Sequence, residues 1–162
     1  MGLNSDYLGP ALFNTPLEAG IRAVVLLEAF APCAFDISKL SLLDYFVVHL
    51  RDAGGPQSVH PEIQSRPGEY FVRRQLVEQG VALMVRASLI EQVNEYNGIA
   101  FRTHETASAM VDLVTSRYNN ELLDSAKWLA ERAEKYDHNY FFRELRNRID
   151  NWSHEALWTS TS

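Results

Sequence analysis

A single cysteine, Cys33, stands among the 162 residues, so no internal disulfide can form and nothing points to an oxidising compartment. No run approaches the roughly 20 apolar residues that a bilayer-spanning helix requires. The start, Met1 to Pro10, has neither the basic region nor the apolar core of a signal peptide, so a cytoplasmic protein without membrane contact is expected. Positive charge is also scarce. Residues 1–62 hold three basic residues (Arg22, Lys39, Arg51) against seven acidic ones, and neither later stretch of the chain is basic. With a net charge of −6, the chain lacks the clustered basic excess from which nucleic-acid binders draw most of their affinity. Glycine and proline are few, and five of them gather in residues 51–67 as Gly54, Gly55, Pro56, Pro61 and Pro67.

What is present is the composition of an ordinary globular domain, 46% hydrophobic and 22% charged. Thr15-Pro16-Leu17-Glu18 forms a capping box with proline at the first helical position. It predicts a helix to about Phe30, stopped before Pro32, with Glu18 and Arg22 paired at i,i+4. Asp36 predicts the cap of a second helix, Ile37 to about Leu50. Apolar side chains surround both axes, so each helix is either central in the fold or keeps one face for a partner. The loop over 51–67 precedes a third helix from about Pro67 to Ala87. Val72, Leu76, Leu83 and Ala87 define its apolar stripe, widened by Tyr70, Val77, Val81 and Met84, and Gly80 implies close packing.

A hairpin follows, Leu89–Val93 and Ile99–Thr103, with Asn97-Gly98 supplying positive φ angles. Thr103 or Thr106 then caps a helix through Val114, and amphipathic helices are expected over 119–136 and 140–152. The fold class is therefore mainly α with a small β-hairpin (α+β): a winged-helix-like domain over 15–116 and a C-terminal helical extension over 117–158. Residues 1–14 form an N-terminal segment and 159–162 a tail.

No catalytic set emerges. The histidines are scattered, and His60 with Glu62 beside Pro61 is the nearest approach to a ligand pair. Cys33 has no histidine nearby and reads as a structural thiol. Gly54-Gly55-Pro56 lacks the lysine and spacing of a phosphate loop. No cofactor, no metal and no enzymatic activity are expected. Arg73-Arg74 is the best candidate for a contact, since a third helix of this kind can enter a DNA groove. Helical projection nevertheless places Arg73 inside the apolar arc, as an internal partner of Glu69 or of an acid elsewhere, with Arg74 at its edge. The hairpin tip carries Glu95 where a DNA-binding wing would carry a cation.

Several short motifs occur in order: Phe13-Asn14-Thr15-Pro16-Leu17-Glu18-Ala19-Gly20, Leu26-Leu27-Glu28-Ala29 and Leu42-Leu43-Asp44-Tyr45 with His49. They continue in Gly54-Gly55-Pro56 with Ser58, His60 and Pro61, and in Gly68-Glu69-Tyr70 with Arg73-Arg74. Over residues 12–103 this series resembles the middle-component family of ABC three-component bacterial conflict systems, of which the Lamassu antiphage system is an example. The resemblance implies a small subunit bridging an SMC-like ABC ATPase and an effector, often a nuclease, with DNA contact possible only inside the complex.

Leu17, Glu28, Leu43 and Tyr45, with Gly54, Gly55, Pro56 and His60, are candidates for a partner interface or a motif network. So are Asp44, His49, Arg73 and Arg74, the first three equally suited to a buried polar network that fixes the fold. Trp128, Trp152 and Trp158 would anchor a second contact or pack in the core. The rival reading from the order of elements is a winged-helix transcription regulator.

Overall fold

The computed structural model describes residues 15–56, 66–113 and 117–159, with side chains described over 15–56, 72–112 and 119–151. Helix α1, Pro16–Ala29, begins as its capping box requires: Thr15 Oγ1 accepts a hydrogen bond from the Glu18 N–H at 3.2 Å. Helix α2, Ile37–Val48, begins at Asp36, whose Oδ1 accepts from the Lys39 N–H at 2.8 Å. Every residue from Leu40 to Leu50 is buried, as are Ala19, Gly20 and Arg22 to Leu27 in α1. These two helices are apolar all round because the rest of the chain encloses them.

A short 3₁₀ turn, Leu50–Ala53, follows α2 and ends at Gly54, whose φ of +82° suits glycine. Helix α3, Arg66–Arg86, has nearly the expected bounds but a different inward face. Arg73, Val77, Gly80, Val81 and Met84 are buried, whereas Val72 is 62% exposed, Ala87 is exposed, and Leu76 and Leu83 are half-buried. The helix is rotated by about a quarter turn from the stripe read off its apolar residues. Its crossing with α1 explains the rotation. A Cβ on Gly80 would collide with the backbone nitrogen of Gly20 and lie 2.6 Å from the Pro16 carbonyl oxygen. A Cβ on Gly20 would lie 2.8 Å from the Gly80 carbonyl oxygen. The two backbones touch, and only glycine at both positions permits that approach.

Strands β1, Ile90–Glu95, and β2, Gly98–Thr103, pair antiparallel with Ile90 opposite Thr103 and Glu95 opposite Gly98. The loop is thus the two residues Tyr96 and Asn97, and the strands reach further toward the tip than expected. Gly98 alone takes a positive φ there, at +129°, so Asn97 does not share the role assigned to the Asn-Gly pair. Phe35, between α1 and α2, bridges the outer edge of β2: its N–H donates to the Phe101 carbonyl at 2.9 Å, and Phe101 N–H donates back at 2.8 Å.

Helix α4, Ala107–Leu113, follows Thr106, yet the threonine hydroxyl donates to the Ser88 carbonyl oxygen at 2.7 Å. It ties the start of α4 to the end of α3 instead of capping its own helix. Helices α5, Arg117–Tyr136, and α6, His138–Thr159, meet at Asp137, whose φ is +77°. Helix α6 thus runs to Thr159, seven residues beyond the expected end at 152.

One hydrophobic cluster contains Val24 and Leu27 of α1, Leu43 and Phe46 of α2, and Val77 and Val81 of α3. It continues through Leu122 and Leu129 of α5 and Phe141, Leu145 and Ile149 of α6. The fold is mainly helical with one antiparallel hairpin among the described residues, an α+β architecture as the sequence predicts.

Candidate functional site

Two places concentrate polar groups against the helical frame. The first lies inside. Asp44 sits in the most apolar stretch of α2, and its carboxylate has no route to water. Arg22 of α1 donates through Nε to Asp44 Oδ1 at 2.7 Å, and Arg73 of α3 donates through Nη1 to Oδ2 at 3.0 Å. Burial by itself would push the Asp44 carboxyl up; the charges and hydrogen bonds of Arg22 and Arg73 together outweigh it and hold the carboxyl below its ordinary value. The three residues bind three helices to one point. Arg22 therefore does not form the surface pair with Glu18 that its spacing predicts, because it faces inward to an acid 22 positions away.

Beside this cluster, Tyr45 and His49 stack with ring centroids 4.7 Å apart, and the Tyr45 hydroxyl donates to Asp52 Oδ2 at 3.0 Å. Arg74, one residue on from Arg73, turns outward, donating to Ser38 Oγ at 3.2 Å and lying 3.7 Å from Glu78.

The second place lies on the surface, where the start of the glycine-rich loop meets α5 and α6. Arg148 of α6 donates through Nη1 to the Asp52 carbonyl oxygen at 2.9 Å. A Cβ on Gly55 would lie 3.2 Å from Cη2 of Trp128, so the loop runs close beneath the indole. Along α5, Trp128, Arg132 and Tyr136 are spaced at i, i+4 and i+8 and share one face. The Arg132 guanidinium lies 5.4 Å from the Trp128 ring and 4.7 Å from the Tyr136 ring. Next to it opens a cleft of about 290 Å³ lined by Ala53, Arg132, Tyr136, Tyr140, Glu144 and Arg148, among others.

The family model of the ABC-three component system Middle Component 2 matches residues 12–155 of this sequence. The chain belongs to that family. No curated protein and no solved structure matches it. The match extends through α5 and most of α6, so the surface cleft, no less than the motif-rich first half, is built from residues of this middle component.

Within the middle component, the sequence-derived candidates fall into three groups. Leu43, Asp44, Tyr45, His49 and Arg73 are buried and come together around α2. Gly54, Gly55 and Trp128 meet at the surface, with Pro56 exposed beside them. Leu17 is exposed on α1 and Arg74 half-buried on α3. Glu28 is half-buried at another opening, of about 400 Å³, with Asp112 and Lys127.

His60, and the side chains of Glu69, Trp152 and Trp158, lie outside the described residues. Cys33 is half-buried against the core. Among the described residues no three His, Cys, Asp or Glu side chains converge as a metal site would require, and no helix is long and apolar enough to cross a membrane. Sequence reasoning missed Arg22 as a core cation, and it missed Arg132, Tyr136, Tyr140 and Arg148. The spacing of Trp128, Arg132 and Tyr136 was the available signal for the surface group.

Proposed function

We propose that this middle component is a non-catalytic adaptor that bridges an SMC-like ABC ATPase and an effector, a nuclease, in a cytoplasmic Lamassu-type antiphage or anti-plasmid defence complex. Family membership over residues 12–155 carries the reading. The polar cluster at Asp44 is consistent with it, because its hydrogen bonds join helices and leave the carboxylate no access to a substrate. A rigid body with a buried polar brace suits a subunit that transmits position between partners.

The test is co-expression with the gene products encoded beside it, followed by affinity capture and mass measurement at moderate salt. Recovery of one stoichiometric assembly containing an ABC ATPase and an effector is the expected result. A chain that is recovered alone in every such experiment overturns the adaptor reading.

A second reading is a winged-helix transcription regulator. It is favoured by the order of three helices and a hairpin, and by the Phe35 bridge that adds a strand residue between the first two helices. Against it, Arg73 points into the core, Arg74 is engaged by Ser38 and Glu78, and the outward side of α3 otherwise presents Val72, Gln75, Glu78 and Gln79 with Arg86 at its end. Salt-sensitive duplex binding by the lone protein would favour the regulator.

A further inference from the structure

We propose that the cleft between α5 and α6 is a docking site for an acidic segment of a partner protein, in which one aspartate or glutamate carboxylate sits between Arg132 and Arg148. The inference rests on the adaptor reading and assigns it a surface. Neither Arg132 nor Arg148 has a carboxylate within ion-pair distance among the described residues, although both line the same cleft. Both are also held in place before any ligand arrives. Arg148 is anchored to the Asp52 carbonyl, and Arg132 lies against two aromatic rings. Arginine fixed in this way loses little conformational freedom on binding, which is the main cost of recruiting a long side chain to an interface.

The charge of the cleft selects the ligand. Arg132 and Arg148 line the cleft with one carboxylate, Glu144, which is half-buried and among the described residues has no ion-pair partner. Among the described lining residues the excess is one positive charge, matching a single carboxylate and disfavouring a dianionic phosphate beside Glu144. A cleft of about 290 Å³ accommodates one or two side chains, whereas a nucleic-acid backbone needs an extended basic track. Tyr136 and Tyr140, 42% and 45% exposed, flank the opening and offer ring surface to the apolar neighbours of the acid. Arginine and tyrosine around a concave centre are the residue types that dominate protein interface energetics.

The experiment uses the full chain co-expressed with its neighbouring gene products. Arg132→Glu is compared with wild type and with Gln79→Glu, which also introduces a carboxylate, on the exposed side of α3. Complex affinity, the salt dependence of assembly and thermal melting of each isolated chain are measured. The proposal expects Arg132→Glu to weaken assembly about tenfold or more with little change in melting, and Gln79→Glu to assemble as wild type. A photo-crosslinker replacing Tyr140 should capture a partner peptide containing Asp or Glu.

Equal assembly of wild type and Arg132→Glu, or capture at Tyr140 of DNA or of a peptide lacking an acid, overturns the docking site and leaves the adaptor reading intact. Failure of wild type to assemble at all overturns both. If Arg132→Glu melts early, Arg132→Gln replaces it as the test of the charge, and normal assembly by that variant likewise overturns the site.

Discussion

Asp44 is the residue on which the interior depends most. Its two carboxylate oxygens each accept from a different helix, so removing the charge takes from Arg22 and Arg73 the anion they share in an apolar region. Breaking one member of a buried ion pair costs about 3–5 kcal/mol, because a buried charge loses an opposite charge that offset its burial. Asp44→Asn should therefore lower the denaturant midpoint with an unchanged slope, as read by chemical unfolding. The same residue sets an acid limb. A carboxyl held below its ordinary value in the folded state contributes stability that is fully present above the unfolded value of about 3.9. That contribution is lost as pH falls through the folded value, so wild type should lose stability below about pH 4. Asp44→Asn should lack this component, and parallel acid limbs for the two proteins would show that Asp44 does not carry it.

At the scale of elements, what the sequence made legible was local. The caps of α1 and α2 are built from residues three apart, and the hairpin is announced by a glycine that must take a positive φ. The facing of α3 was not legible in the same way. Apolar residues lie on several sides of it, and its inward side is chosen by two distant partners, Gly20 for Gly80 and Asp44 for Arg73. Nothing within the helix encodes either partner. The Phe35 bridge escaped for a related reason, since a single paired residue leaves no alternation to read. Asp44, Tyr45, His49 and Arg73 stood out as motif members, whereas Arg132 was marked only by its spacing from Trp128 and Tyr136, whose meaning shows once the two rings flank it in space. The rotation of α3 gives a direct comparison. Val72 and Val77 are the same residue type five positions apart, one 62% and the other 1% exposed. Val77→Asp should destabilise by several kcal/mol through burial of an unpaired charge, while Val72→Asp should stay within about 0.5 kcal/mol in the isolated chain. The reverse order on thermal melting would restore the stripe read from sequence.

Across the whole molecule, the apolar excess of α1 and α2 has its explanation within the chain. Their surfaces are covered by the rest of the chain: α3 crosses α1 at the paired glycines and packs on α2, β2 and α4 lie on α1, α5 packs on both helices and α6 on α2. The C-terminal helices look separable in the sequence, since they are charged, amphipathic and free of the motifs that mark the first half. In the fold they supply Leu122, Ala126, Leu129, Phe141, Leu145 and Ile149 to the common core. Removing them would expose the sides of α1 and α2 that they cover, at roughly 25 cal/mol for each Å² of apolar surface returned to water. Against a typical total stability of about 5–15 kcal/mol, five large apolar side chains together with Ala126 are more than a domain of this size can lose. A fragment ending at Leu113 should accordingly aggregate, or unfold without a cooperative transition, when followed by circular dichroism and calorimetry. Adding residues 117–159 as a separate chain should restore cooperativity if α5 and α6 complete the core by packing alone. A fragment that melts cooperatively without them would mean that the first three helices and the hairpin form a self-sufficient unit, with α5 and α6 acting as an arm on its surface.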